Sequence, residues 1–163
     1  MTLPAWLPPV HSCDGSWPEV VAALYSIFDR DFRSGRPRFR GAPIWWNRTV
    51  KGGEQFEEGF WHLISRTDPK TGERLPEFRR AERLPWCRPV IDHEHEPEIL
   101  VWDYVEGNGR TRTYVWLSDH DYVTIMERRP AQRRDVMFLV TAYYVDGKGR
   151  RRQLQSKYEA RVV

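Results

Sequence analysis

Cysteine is scarce in this chain: Cys13 and Cys87 are the only two among 163 residues. That excludes a disulfide-dense scaffold, and neither residue has CxxC or paired metal-ligand spacing, so both read as reduced thiols. Long apolar runs are missing as well. No stretch approaches the ~20 residues that span a bilayer. The opening MTLPAWLPPVHSC lacks the charged-then-apolar order of a secretory signal. The expectation is a soluble, cytoplasmic protein without a membrane partner. Also missing are GxSxG, the phosphate-binding P-loop, GxGxxG and HExxH. The Gly107–Gly109 and Gly147–Gly149 pairs read as turn or helix-entry glycines.

Aromatic residues are plentiful, with eight Trp, seven Tyr and seven Phe, and hydrophobic content is 40%. Such a chain has material for a real core and is not a disordered segment. The net charge of +3 hides an asymmetry: from Gly107 onward there are twelve Lys/Arg against six Asp/Glu. A basic C-terminal part with aromatics interleaved suits a polyanion, most commonly nucleic acid, and otherwise reads as a solvated arginine-rich face.

Residues 1–15 are Pro-rich and aperiodic and read as an extended arm; residues 16–163 read as one α+β domain. Ser16-Trp-Pro-Glu19 is a capping box, and Val20, Val21, Leu24, Ile27 and Phe28 follow at helical spacing, so a helix is expected from Trp17 to Phe32. Arg38–Val50 reads as one strand or a broken pair. Phe56–Arg66 fits both the helical and the strand period. Thr67–Leu75 reads as a polar loop, and Pro76–Leu84 as a short helix that Pro85 stops, with Trp86–Ile91 continuing irregularly. From Ile99 a meander of four strands is expected, then a basic helix over Arg150–Arg161. The sum is N-terminal helices packed on an antiparallel sheet of four to five strands, with a C-terminal helix.

Within the last strand, Thr141 and Tyr143 are two residues apart. A strand puts such a pair on one side, roughly 6.5–7 Å apart. A hydroxyl and a phenol on one face of a buried strand need partners or a use, and the neighbouring arginines suggest holding a phosphate. Tyr144 lies on the opposite face unless a bulge shifts the register by one. His62, in Phe60-Trp-His-Leu-Ile-Ser65, reads as a general base or acid, or else as a core histidine bonded to a backbone carbonyl. Arg79, Arg80 and Arg83 suit bidentate phosphate contacts, or ordinary helix ion pairs with Glu77 and Glu82. His93-Glu-His-Glu96 lacks a third ligand at long range and reads as a solvated acidic loop, and Asp119-His120-Asp121 reads as a turn.

His62 in FWHLIS, the stretch RRAERLPWCR, the run DYVTIMERR, the terminal TAYYV and the basic RRRQLQSKYEA together resemble phage and prophage proteins of the barnase–EndoU–colicin–RelE-like ribonuclease superfamily. The resemblance covers roughly Trp17 to Arg161. It implies a metal-independent endoribonuclease, phage-encoded or toxin-like, that cleaves RNA by attack of a ribose 2′-hydroxyl to leave a 2′,3′-cyclic phosphate. No cofactor is implied; the partners are RNA (tRNA or mRNA) and, where one exists, a cognate inhibitor protein. By the same resemblance, His62 serves as general base or acid, and Thr141 and Tyr143 orient the scissile phosphate. One of Arg79, Arg83 or Arg128 neutralises its charge. Two rival readings stand beside this one. The first is a non-catalytic nucleic-acid-binding module. The second is a phage structural or interaction protein, which exposure of Trp6, Trp45 and Trp46 would favour.

Overall fold

A computed structural model describes residues 2–163. Helix α1 (Trp17–Phe28) begins where Ser16, in extended conformation, accepts the Glu19 amide on its hydroxyl oxygen at 3.4 Å, with Pro18 in the first turn. It buries Val20, Val21, Leu24 and Phe28. The expected reach to Phe32 holds, but the last turn, Asp29–Arg33, is π-helical: the Ser34 amide reaches back to the Asp29 carbonyl at 2.8 Å. The wider turn keeps Phe32 beside Phe28 in the core, ring centroids 5.4 Å apart, and Arg88 donates to the Asp31 carbonyl at 2.7 Å.

The Arg38–Val50 run resolves into a broken pair, β1 (Arg38–Phe39) and β2 (Ala42–Trp45). Phe56–Arg66 uses both of its periods in succession, as α2 (Glu58–Trp61) and then β3 (Ser65–Thr67). The polar stretch expected as a loop is a small hairpin, because β3 pairs with β4 (Arg74–Pro76). Two helical expectations are corrected. Helix α3 is only Phe78–Ala81, and Pro85 does not stop a helix but sits in the first turn of another, α4 (Leu84–Asp92). At that position the missing N–H of Pro85 would have had no helical acceptor anyway. Pro89 lies inside α4 and leaves one carbonyl without its helical donor.

The meander is present: β5 (Ile99–Val105), β6 (Thr111–Leu117), β7 (Tyr122–Arg129) and β8 (Val136–Tyr144), each antiparallel to the next. The sheet is nonetheless larger than the expected four to five strands and is mixed. Its order is β1-β2-β8-β7-β6-β5, with β2 parallel to the first half of β8. Helix α5 (Gly147–Glu159) closes the chain. The architecture is therefore α+β.

Alternation along the strands builds two cores. One face carries Val115, Leu117, Tyr122, Met126, Met137, Leu139 and Ala142 and packs against α1 and α4. The other face carries Trp102, Tyr114, Trp116, Val123 and Ile125 and packs against Leu154 and Tyr158 of α5. Cys87, on the buried side of α4, is fully enclosed, and burial pushes its thiol up to about 12. The Pro-rich arm is not loose. Leu7 is buried, the Trp86 indole donates to the Pro8 carbonyl at 2.7 Å, and the His11 amide donates to the Glu82 carbonyl at 2.7 Å. Among the described residues no helix is long and apolar enough to cross a membrane.

Candidate active site

Only the first half of β8 has a strand partner on its β2 side, through Ile44–Met137 and Trp45–Phe138. Past that point the segment from α2 to α3 closes against β8, and the joint is the His62 backbone carbonyl. It accepts from Thr141 Oγ1 at 3.4 Å and from Arg80 Nη1 at 2.9 Å. Arg80 Nη1 also donates to the Ser65 carbonyl at 2.8 Å, so one guanidinium fixes both ends of the turn that presents His62. Three positions far apart in sequence thus meet: 62, 80 and 141.

They line a shallow depression of about 250 Å³ together with Ser65, Arg66 and Arg74. A second depression of about 270 Å³ continues it, sharing Arg66 and Arg80 and adding Arg79, Tyr144 and Arg150. The two make one basic groove, into which Glu77 and Asp146 also reach.

Two phenols stand near the groove, and the one in its lining is Tyr144. Thr141 lies opposite Ile125 and Tyr143 opposite Val123, both on the α5 face, whereas Tyr144 lies opposite Tyr122 on the other. A bulge does occur in β8: Ile125 faces Thr141 while Met126 faces Leu139, which leaves Val140 extra. It precedes Thr141, so the Thr141/Tyr143 pair keeps one face. The Arg80 guanidinium lies 5.7 Å from the centre of the Tyr143 ring.

Electrostatics divides the roles. The His62 ring is exposed, yet the protein around it desolvates its charged form and lowers its pKa from the ordinary 6.5; Glu58 opposes the shift, while Arg74, Arg80 and Lys51 add to it. His62 is therefore a neutral imidazole near pH 7, able to take a proton. Tyr143 shifts upward: burial raises its pKa, against the pull of Arg150 and Arg80. It keeps its proton and can donate a hydrogen bond. Burial also lowers the pKa of Arg80, against Glu77.

The remaining arginines part company. Arg79 and Arg83 stack on Tyr144, 5.0 and 4.5 Å from its ring centre, with Arg79 on the groove's flank and Arg83 tied to Glu82 at 2.6 Å. Arg128 lies near the far end of the sheet, opposite Met137, where it pairs with Asp135 at 3.6 Å and donates to the Arg40 carbonyl. Of the arginines in this stretch, Arg80 is the one that meets His62 and Thr141 in the first depression. Arg66 and Arg74 are groove arginines that sequence reasoning did not single out. The signal for Arg80 was helical phase, which turns it about 100° away from Arg79 and toward the sheet.

No protein-family model, curated protein or solved structure matches this chain. Geometry and chemistry alone carry its functional reading. Of the tryptophans, Trp46 is buried and gives its indole N–H to Glu57 at 3.1 Å, and Trp6 is half-buried and stacked on His93 at 4.6 Å. Trp45 stays 42% exposed. The burial of the other two weakens the case for a tryptophan-built partner interface.

Proposed function

We propose that this chain is a metal-independent endoribonuclease of the barnase–EndoU–colicin–RelE-like kind. The observation that carries the reading is the meeting of His62, Arg80 and Thr141 in one basic depression, with Tyr143 on the same sheet face.

In this mechanism the scissile phosphate lies across the depression. Neutral His62 takes the proton of the ribose 2′-hydroxyl as its oxygen attacks phosphorus. Thr141 turns its hydroxyl from the His62 carbonyl to a phosphate oxygen, Tyr143 donates from the same sheet face, and the Arg80 guanidinium offsets the charge that builds on the phosphate. The bond to the 5′-oxygen breaks, leaving a 2′,3′-cyclic phosphate on one fragment. Among the described residues, the depression holds no second side chain that titrates near neutrality. The departing oxygen therefore takes its proton from solvent, which makes for modest turnover.

A second reading, a non-catalytic RNA-binding module, is favoured by the arginine excess along the groove. Incubation with labelled tRNA and mRNA in EDTA, followed by end-group analysis, separates the two. Discrete fragments ending in 2′,3′-cyclic phosphate, lost with His62→Ala, support cleavage. RNA that shifts on a gel but stays intact supports binding alone.

A further inference from the structure

On the other side of β2 lies a groove of about 330 Å³ whose lining, among the described residues, holds five arginines (Arg33, Arg36, Arg38, Arg48 and Arg134) and no carboxylate. Glu57 stands behind it, buried and hydrogen-bonded to Tyr25 at 2.7 Å and to Trp46, and it offsets part of the charge of Arg33 and Arg48. At the groove's rim is Trp45, the one tryptophan left exposed among the described residues. Cation well in excess of counter-charge, beside an accessible aromatic ring, is the pairing that single-stranded nucleic acid requires: arginine for phosphate, ring for base.

The groove is joined to the candidate active site by the sheet itself. Trp45 lies beside Phe138, Phe138 opposite Glu127, and Glu127 is two residues from Ile125, which faces Thr141. Side chains at these positions share one face, so Trp45, Phe138, Thr141 and Tyr143 follow one another across it. Phe138 and Thr141 face Glu127 and Ile125, two residues apart on β7, so across the bulge at Val140 they are roughly 6.5–7 Å apart along the strand. Both outer rings carry a stacked guanidinium: Arg48 is 3.5 Å from the Trp45 ring centre and Arg129 3.7 Å from that of Phe138. Arg48 so placed offers a further plane to a base and keeps its edge N–H groups for phosphate, whereas Arg129 offers its plane while Glu127 holds its edge at 3.0 Å.

We infer that the Trp45–Phe138 strip and its arginine groove form a binding track for single-stranded RNA, holding the segment that flanks the cleaved bond. The inference deepens the ribonuclease reading and rests on it for the word "cleaved"; the track itself needs only an RNA ligand. It assigns substrate class as well: unpaired RNA, since bases must be free to stack on Trp45.

The test is fluorescence anisotropy with a short fluorescein-labelled oligouridylate in EDTA, on a His62→Ala background so that the probe survives. Trp45→Ala is expected to weaken binding about tenfold, while Trp45→Phe, which keeps a stacking face, holds close to the parent. Arg48→Gln with Arg134→Gln is expected to flatten the salt dependence by about 0.7 in the log–log slope for each phosphate deprived of its cation. Cleavage by the parent with binding and slope unchanged in the variants would overturn the track and leave the nuclease. No cleavage, but binding lost with Trp45→Ala, would overturn the nuclease and leave the track. Absence of both overturns both.

Discussion

At the scale of single residues, the most informative fact is that His62 and Tyr143 shift in opposite directions. A lowered histidine and a raised tyrosine give one acceptor and one donor near neutrality. His62→Ala is expected to reduce cleavage by roughly 10²–10⁴-fold. Tyr143→Phe is expected to reduce it by roughly 10²-fold with the fold intact, as judged by circular dichroism. The pH profile carries a sign. With His62 as base, kcat/KM falls on the acid side, and the midpoint of that limb should lie below the ordinary histidine value of 6.5. A limb centred above 6.5 would give the base to another group. Stability follows the same direction. A histidine held below its unfolded value stabilises fully above 6.5 and loses that contribution as pH falls through the folded value. His62→Gln should accordingly flatten the pH dependence of the melting temperature on the acid side of 6.5.

At the scale of elements, the turn that presents His62 depends on Gly59. A Cβ there would stand 2.7 Å from Trp46 Cδ1 and 3.0 Å from the Asn47 carbonyl oxygen, to which the Gly59 amide already donates at 2.9 Å. Gly59→Ala therefore pushes α2 off the indole. A loss of about 1–3 kcal/mol in urea unfolding is expected, together with slower cleavage because His62 moves with the helix. The sequence made some elements legible and hid others, for identifiable reasons. Helix α1 was readable because Ser16, Pro18 and the apolar spacing agree, and the meander because alternation and turn residues agree. Helix α4 was hidden by Pro85 and Pro89, which read as breakers although one occupies a first turn and the other is tolerated in a packed helix. The pairing of β2 with β8 was hidden because parallel neighbours about ninety residues apart leave no local mark. The site divides the same way. Thr141 and Tyr143 were visible as a same-face pair, and the bulge at Val140 does not disturb them. Arg80 was masked by its neighbours Arg79 and Arg83, since arginines so close together differ only in phase.

At the scale of the molecule, three layers hold the groove in place: α1 and α4, the sheet, and α5. The N-terminal arm straps the first of them through Leu7 and the Pro8 carbonyl. Deleting residues 2–13 uncovers Trp86 and leaves its buried indole N–H without an acceptor, a cost of about 1–3 kcal/mol before the missing apolar burial is counted. A melting temperature lower by several degrees is expected, with cleavage retained, since the arm contributes nothing to the groove. Charge is also distributed at this scale. Asp103 holds Arg40 at 2.8 Å, and buried Glu127 engages Arg110, Arg112 and Arg129 at 3.0–3.4 Å, so the lower end of the sheet is largely self-compensated. The cations flanking Trp45 lack such partners in their lining.

The two thiols give the protein its own pair of clocks. Cys13 sits half-exposed on the arm, and Cys87 is sealed on the buried side of α4 with its thiolate suppressed. An alkylating reagent added to the native protein should therefore mark Cys13 without any opening of the scaffold. It should mark Cys87 only when the layer opens, and mass spectrometry separates the two time courses in a single sample. Bound RNA should leave the Cys13 clock running and slow that of Cys87, so the difference between them reads out how far a ligand's grip extends into the scaffold.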